Sequence, residues 1–414
     1  MKQKVSEQQQ TLNRFHRTLL KGVSSFFGDI MGCSVKWDEP DCGIDDPKRY
    51  YGKVKGRFMK IGLIGLPNSG KTTIFNALTK SEAQVTAYSD SKTKPNLGIA
   101  EVADDRVTCL SEMYKPRKTK FANVELIDVV GQNKGSAGEG FLSSSSMGLI
   151  KNTDALALVV RNFPDDLENL PTPLRDIEKI NEDLLITDLI ITENRLERIE
   201  QAYRRGKKTR TLEIEEKTLH RILDQLNNNQ PIRDLELSRE SEKTIRGFQF
   251  LTQKPIMIIL NSDETNFGKD DVLLAEVEKS FKVIEFAGKF EMELSRLNDQ
   301  EELQFFMEDM GIQESARDRL TRAAYELVGY ISFFTVGSDE VRAWSIHNGE
   351  TVLTAAGTIH SDLARGFIRT ECFSYDDLMA CGSEKRISEM GRLRLEGKDY
   401  IVQDGNILNI RFNV

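Results

Sequence analysis

The residues with the clearest chemical potential are Gly65-Leu-Pro-Asn-Ser-Gly-Lys-Thr72, which fit the phosphate-binding pattern G-x-x-x-x-G-K-[S/T]. In such a loop, glycines let backbone N–H groups turn inward on phosphate oxygens. A helix beginning at its end adds partial positive charge. Gly65, Asn68, Ser69, Gly70, Lys71, Thr72 and Thr73 are therefore candidate nucleotide contacts. Lys71 would reach the β- and γ-phosphates as the catalytic cation, and the Thr72 hydroxyl would hold Mg²⁺. Downstream, Asp128-Val-Val-Gly131 closes an apolar run. After a phosphate loop, D-x-x-G places an aspartate to hold the metal through water and a glycine N–H to sense the γ-phosphate. Asp128 and Gly131 join the candidate set.

These residues need a strand–loop–helix frame, and the flanks supply one. Met59-Lys-Ile-Gly-Leu-Ile64 reads as a buried strand, and Thr73-Ile-Phe-Asn-Ala-Leu78 as a first helical turn. Leu97–Val102, Ala122–Asp128 and Asp154–Val160 read as further strands, the last continuously apolar as central parallel strands are. Pro255–Leu260 returns to the sheet and runs into Asn261-Ser-Asp-Glu264. Val283–Phe286 is the last strand, followed by a base-edge loop at Ala287-Gly288-Lys289. Ser315–Tyr330 reads as a helix. Polar Ser81–Lys94 suits a mobile loop, and glycine-rich Gly135–Gly140 a loop that orders around nucleotide.

Between residues 169 and 252 the periodicity becomes helical. Leu185, Leu189, Leu196, Ile199 and Tyr203 share one face, and Leu212, Leu219, Ile222 and Leu226 share another. Arg204-Arg-Gly-Lys-Lys-Thr-Arg210 lies between them with five basic residues in seven. This predicts an antiparallel helical hairpin with a basic tip. Such a tip suits a phosphate backbone, although a solvated charged turn has the same composition. From residue 330 short alternating strands, such as Val341–Ile346, indicate a β-rich domain reaching Val414.

Composition narrows the class. Lys+Arg 57 against Asp+Glu 65 gives a net charge of −8, so nucleic-acid contact requires a local patch. The five cysteines form no CxxC and no cluster with histidine, which suits a reducing compartment and argues against zinc. No apolar run approaches the ~18 residues needed to span a bilayer, so no membrane partner is expected. Residues 1–58 are an accessory segment. Five basic residues and one acid among the first 28 resemble a transit peptide, which would send the chain to an organelle stroma or matrix. Alternatively, Met59 is the functional start and the protein is cytoplasmic.

The motifs together resemble the Obg-like ATPase (YchF) family of translation-factor-class P-loop proteins. The resemblance spans residues 59–414 and also rests on Gly329–Gly337, Val341–Trp344, Ala356–His360, Gly366–Arg369, Gly391–Tyr400 and Arg411–Val414. It implies a P-loop NTPase G domain over 59–168 and 253–329, a helical coiled-coil insertion over 169–252, and a C-terminal TGS domain of β-grasp type over 330–414. It further implies Mg²⁺-dependent hydrolysis preferring ATP, with GTP secondary, by a monomer that associates with the ribosome or its RNA. Guanine-specific relatives carry N-K-x-D. Here Asn261, Ser262 and Glu264 are the base contacts together with Ala287 and Gly288; the lysine is absent and the carboxylate one carbon longer, which relaxes guanine selection.

The chain departs from the family pattern in three places. Gln132 stands where members have a hydrophobic residue, and a glutamine there orients the attacking water in Ras-like GTPases. Leu158 replaces a histidine found in many members. Lys92 occupies the switch-threonine position, leaving Thr93 as the candidate second Mg²⁺ contact. Asn68 also matches the asparagine by which potassium-activated GTPases hold K⁺ against the phosphates, making K⁺ a candidate second cation. Set against a slow hydrolytic switch is a nucleotide-dependent binding module with negligible turnover, which the missing histidine and displaced threonine favour. A small-molecule kinase is disfavoured because no acceptor lid is evident.

Overall fold

The computed structural model describes residues 58–79, 95–129, 144–164, 169–297 and 299–413. Within them a six-stranded sheet carries the phosphate loop. Its strands are β1 (Met59–Ile64), β2 (Asn96–Glu101), β4 (Asn123–Asp128), β5 (Ala155–Asn162), β6 (Ile256–Ser262) and β7 (Lys282–Phe286), in the order β2-β4-β1-β5-β6-β7. All neighbours are parallel except β2, which runs antiparallel to β4 at one edge. β5 and β6 are apolar almost throughout because both of their faces are covered. Helices α1 (Lys71–Thr79), α2 (Asp105–Tyr114) and α3 (Ser144–Lys151) fall between the early strands.

After β5 the chain leaves the sheet as α4 (Pro173–Arg204) and α5 (Arg210–Asn227). Leu185, Ile199, Leu219, Ile222 and Leu226 are buried between them, and Leu189, Leu196, Tyr203 and Leu212 pack alongside. These are the residues whose periodicity marks the two faces in the sequence. Arg195 grips Glu215 with two hydrogen bonds, Nε at 2.6 Å and Nη2 at 2.9 Å. The return to the sheet passes through α6 (Arg239–Ile245) and is pinned by a buried carboxylate. Asp188 accepts from the Leu251 and Thr252 amides at 3.0 and 2.7 Å and from the Thr252 hydroxyl at 2.8 Å.

Helices α7 (Asp271–Glu278), α8 (Gly288–Leu294), α9 (Gln300–Asp309) and α10 (Ala316–Val328) complete this part. Ser315 caps α10, and Gly329, in the left-handed region, ends it. The chain then enters a second sheet of β8 (Tyr330–Thr335), β9 (Glu340–His347), β10 (Phe367–Ser374), β11 (Arg394–Glu396) and β12 (Asn406–Phe412). The short helices α11 (Val352–Ile359), α12 (Ser361–Arg365), α13 (Tyr375–Cys381) and α14 (Glu384–Glu389) connect these strands.

The second sheet is not made by residues 330–414 alone. Its order is β11-β10-β12-β8-β9-β3, and β3 (Lys118–Lys120) comes from the segment between α2 and β4, pairing parallel with β9. Three exposed, charged-and-threonine residues carry no apolar alternation, so periodicity gives no sign of this strand. One hydrophobic core runs from Ile61, Phe75 and Leu126 through Leu110 and Leu320 to Phe334, Val341 and Ile407, joining both sheets. No helix among the described residues is long and apolar enough to cross a membrane.

Candidate functional site

The register of the first sheet brings the site together. Leu63 of β1 lies level with Asp128 of β4, so the strand end carrying Asp128 sits beside the start of the phosphate loop. In the antiparallel edge pair, Asn96 of β2 stands opposite Asp128. Two donors therefore meet one carboxylate oxygen: Thr72 Oγ1 and Asn96 Nδ2 each lie 3.0 Å from Asp128 Oδ2. The other oxygen, Asp128 Oδ1, and the Ser69 hydroxyl are buried and have no hydrogen-bond partner among the described residues. Buried polar atoms are rarely left unpaired, and orphans here fit a site shaped for a cation and phosphate oxygens. The hydroxyl–carboxylate pair suits a hard, oxygen-seeking divalent cation such as Mg²⁺.

The loop itself turns through left-handed backbone at Asn68 (φ 61°) and Gly70 (φ 85°), which asparagine and glycine tolerate best. Lys71 begins α1 and folds back over the loop, its ammonium donating to the Gly65 and Leu66 carbonyls at 2.8 and 3.0 Å. Burial lowers its pKa to about 8, against the opposing pull of the Asp128 carboxylate.

Asn261, at the end of β6, ties the loop to the next wall. Its Nδ2 donates to the Ser69 carbonyl at 3.0 Å, and its Oδ1 accepts from the Gly288 amide at 3.1 Å. The bridge is tight enough to require glycine at both ends. A Cβ on Gly70 would sit 2.1 Å from Asn261 Nδ2, and one on Gly288 would sit 2.4 Å from Asn261 Oδ1. Ala287 and Gly288 thus stand beside the phosphate loop, but as the N-cap and first residue of α8, where the sequence reading expects a loop over Ala287-Gly288-Lys289.

Residues 60–195 match the family model described as a 50S ribosome-binding GTPase, and residues 330–413 match the YchF-GTPase C-terminal model, described as a protein of unknown function. The chain is 38% identical over 365 residues to the ribosome-binding ATPase YchF of Bacillus subtilis, covering 85% of this chain and 99% of that protein. This chain belongs to the YchF family. The YchF protein of Buchnera aphidicola (Schizaphis graminum) is 39% identical over 367 residues, again covering 99% of the relative. The YchF GTPase structure of Schizosaccharomyces pombe superposes with a TM-score of 0.74 at 28% identity, covering 87% of this chain and all of the other. The P-loop GTPase domain joined to a YchF C-terminal domain is thus the fold of the chain.

Set on the YchF fold, the remaining candidates take different places. Thr73 follows Thr72 in the first turn of α1. Glu264 is half-buried, its carboxyl pushed above the usual range by burial, with Glu293 and Asp263 adding to the shift and Lys289 opposing it. Ser262 is buried in β6 and faces away from the loop. Its hydroxyl donates to Glu285 and accepts from Asn162 Nδ2 at 3.1 Å, while Glu285 also accepts from the Gly268 amide at 3.0 Å. The side chain at the lysine position of N-K-x-D is thus engaged inside the fold. Thr93, Gly131 and Gln132, with the loops expected at Ser81–Lys94 and Gly135–Gly140, lie outside the described residues. Leu158 is buried in the apolar layer with Ile64 and Leu260.

Sequence reasoning passed over three structural contributors to this site. Asn96 follows Pro95 directly, and its pairing opposite Asp128 becomes visible only once β2 is known to run antiparallel. Glu291 and Arg319 carry no motif. They lie 28 residues apart and meet because α8 and α10 pack on the same side of the sheet.

Proposed function

We propose that this protein is a Mg²⁺-dependent nucleotide switch that hydrolyses ATP, accepts GTP, and reports its state to the ribosome. The observation that supports this most is the meeting of Thr72 and Asp128 beneath the phosphate loop, with Asp128 Oδ1 free of hydrogen bonds among the described residues. Thr72 would contact Mg²⁺ directly and Asp128 through water; the bound ion would offset charge building on the phosphates. Lys71 would leave the Gly65 and Leu66 carbonyls and turn to the β- and γ-phosphates. The loop amides with Ser69, Thr72 and Thr73 would cradle the triphosphate.

At the other end of the nucleotide, Asn261, Glu264, Ala287 and Gly288 would frame the base. Ser262, turned inward, supplies no cation over the ring from the position of the N-K-x-D lysine, and the longer Glu264 replaces the aspartate that selects guanine; both favour relaxed base choice. Gln132 would orient the attacking water, Thr93 would give Mg²⁺ a second contact, the Gly131 N–H would sense the γ-phosphate, and Asn68 would help hold K⁺. The relatives' names, ribosome-binding ATPase, agree with this reading. The exposed basic tip at Arg204–Arg210 and the second sheet, read as a TGS domain, would supply ribosomal contacts. Co-sedimentation with ribosomes in ATP, ADP and a non-hydrolysable ATP analogue tests the proposal. Nucleotide-dependent pelleting is expected; pelleting indifferent to nucleotide would overturn the switch.

A further inference from the structure

The base-edge loop has a brace outside every nucleotide motif. Glu291, one turn into α8, is 4% exposed and accepts from the Ala287 amide at 3.2 Å, at the foot of the loop. Arg319 of α10 holds Glu291 through Nη2, 2.5 and 2.6 Å from its two carboxylate oxygens. Through Nη1, Arg319 also donates to the Glu285 carbonyl at 2.7 Å. Its guanidinium lies over the Phe286 ring, 4.6 Å from the centroid. One side chain thus fixes residues 285, 286 and, through Glu291, 287. Gly288 is fixed from the opposite side by Asn261.

We propose that Arg319 is a positioning residue for base recognition, acting through Glu291 to set the Ala287–Gly288 backbone against the nucleobase. The proposal rests on the reading of Ala287 and Gly288 as base contacts. A planar fork suits the task because it engages a carboxylate and a carbonyl together, which an ammonium cannot do in one fixed orientation. Loops held in the bound shape beforehand avoid the ordering cost of binding. Arg319 also ties the loop to the helix that leads directly into β8.

The experiment compares two probes on the full chain with Mg²⁺ present: ATP, which uses the base site, and inorganic tripolyphosphate, which does not. Wild type, Arg319→Lys and Glu291→Gln are titrated by calorimetry. Arg319→Lys keeps a positive charge beside Glu291, so the carboxylate is not stranded and the fold is retained. Arg319→Lys is expected to weaken ATP about tenfold, equivalent to about 1.4 kcal/mol, while tripolyphosphate stays within about twofold. Glu291→Gln should show the same selective loss. Unchanged ATP affinity in both variants would overturn the proposal, and so would a parallel loss of both ligands, which marks general loosening. Failure of the wild-type protein to bind ATP would instead overturn the nucleotide-switch reading, and is seen before any variant is made.

Discussion

The Thr72 hydroxyl donates to Asp128 Oδ2 across 3.0 Å, joining the first residue past the phosphate-loop lysine to a strand end 56 positions away. Asn96 donates to the same oxygen, while the other carboxylate oxygen has no hydrogen-bond partner among the described residues. An amide in place of Asp128 would put an N–H₂ group where an anion is needed. Asp128→Asn should therefore lower the Mg²⁺-dependent part of ATP affinity by about 100-fold, equivalent to about 2.7 kcal/mol. Binding measured with Mg²⁺ and with EDTA should converge in this variant. A Mg²⁺ dependence equal to wild type would remove Asp128 from the metal site.

If Lys71 holds the triphosphate as proposed, nucleotide binding should depend on pH. Burial lowers its pKa to about 8, whereas in the unfolded chain it titrates near the ordinary lysine value. The unfolded state therefore holds more protons between those two values, and the nucleotide-free protein gains stability from this group as pH rises from about 8 towards 10. A triphosphate beside the ammonium favours the charged form and returns the proton. ATP binding at pH 8 should accordingly take up about half a proton through Lys71. Calorimetry in buffers of different ionisation enthalpy measures this number, and Lys71→Met should lose that uptake.

A third expectation concerns how the two sheets hold together. Arg106 of α2 donates to Asp404 at 2.6 Å and to Asp104 at 2.9 Å, and its guanidinium lies 5.0 Å from the Phe334 centroid. Asp404 in turn accepts from the Ser332 amide at 2.8 Å. Asp404 is half-exposed, so water screens the ion pair, and packing against Phe334 should matter at least as much as charge. Arg106→Ala should cost about 1–2 kcal/mol in urea unfolding, and Asp404→Asn, which keeps an acceptor for Ser332, less than about 1 kcal/mol. Equal losses would mean that the charge dominates.

The sequence made the phosphate loop legible because its chemistry is local: glycines, lysine and threonine act within eight consecutive residues. Strands such as β1, β5 and β6 were legible because burial on both faces leaves a continuous apolar run. The helical pair was legible from periodicity alone, since Leu185, Ile199, Leu219 and Ile222 do meet in one core. What stayed hidden depends on tertiary meeting. β3 is three exposed residues whose partner strand lies more than two hundred positions away. Asp188 reads as one more charge on a helix until the Leu251 and Thr252 amides return to it. The inward turn of Ser262 follows from Glu285 on the neighbouring strand, a pairing that no spacing rule supplies.

The hairpin tip is the surface proposed to meet a polyanion. Residues 204–210 are all exposed. Arg204 pairs with Glu200 and Lys208 with Glu213, whereas Arg205, Lys207 and Arg210 form no ion pair among the described residues. Three unpaired cations on one turn can each displace a counterion from a phosphate backbone, which makes binding salt-dependent. Replacing Arg205, Lys207 and Arg210 by glutamate should weaken ribosome co-sedimentation and flatten its dependence on log salt by about one unit per lost phosphate contact. The tip is built from the helical pair and not from the phosphate loop, so ATP affinity should stay within about twofold of wild type. Undiminished pelleting would show that the tip is a solvated turn and would leave the second sheet as the surface to test.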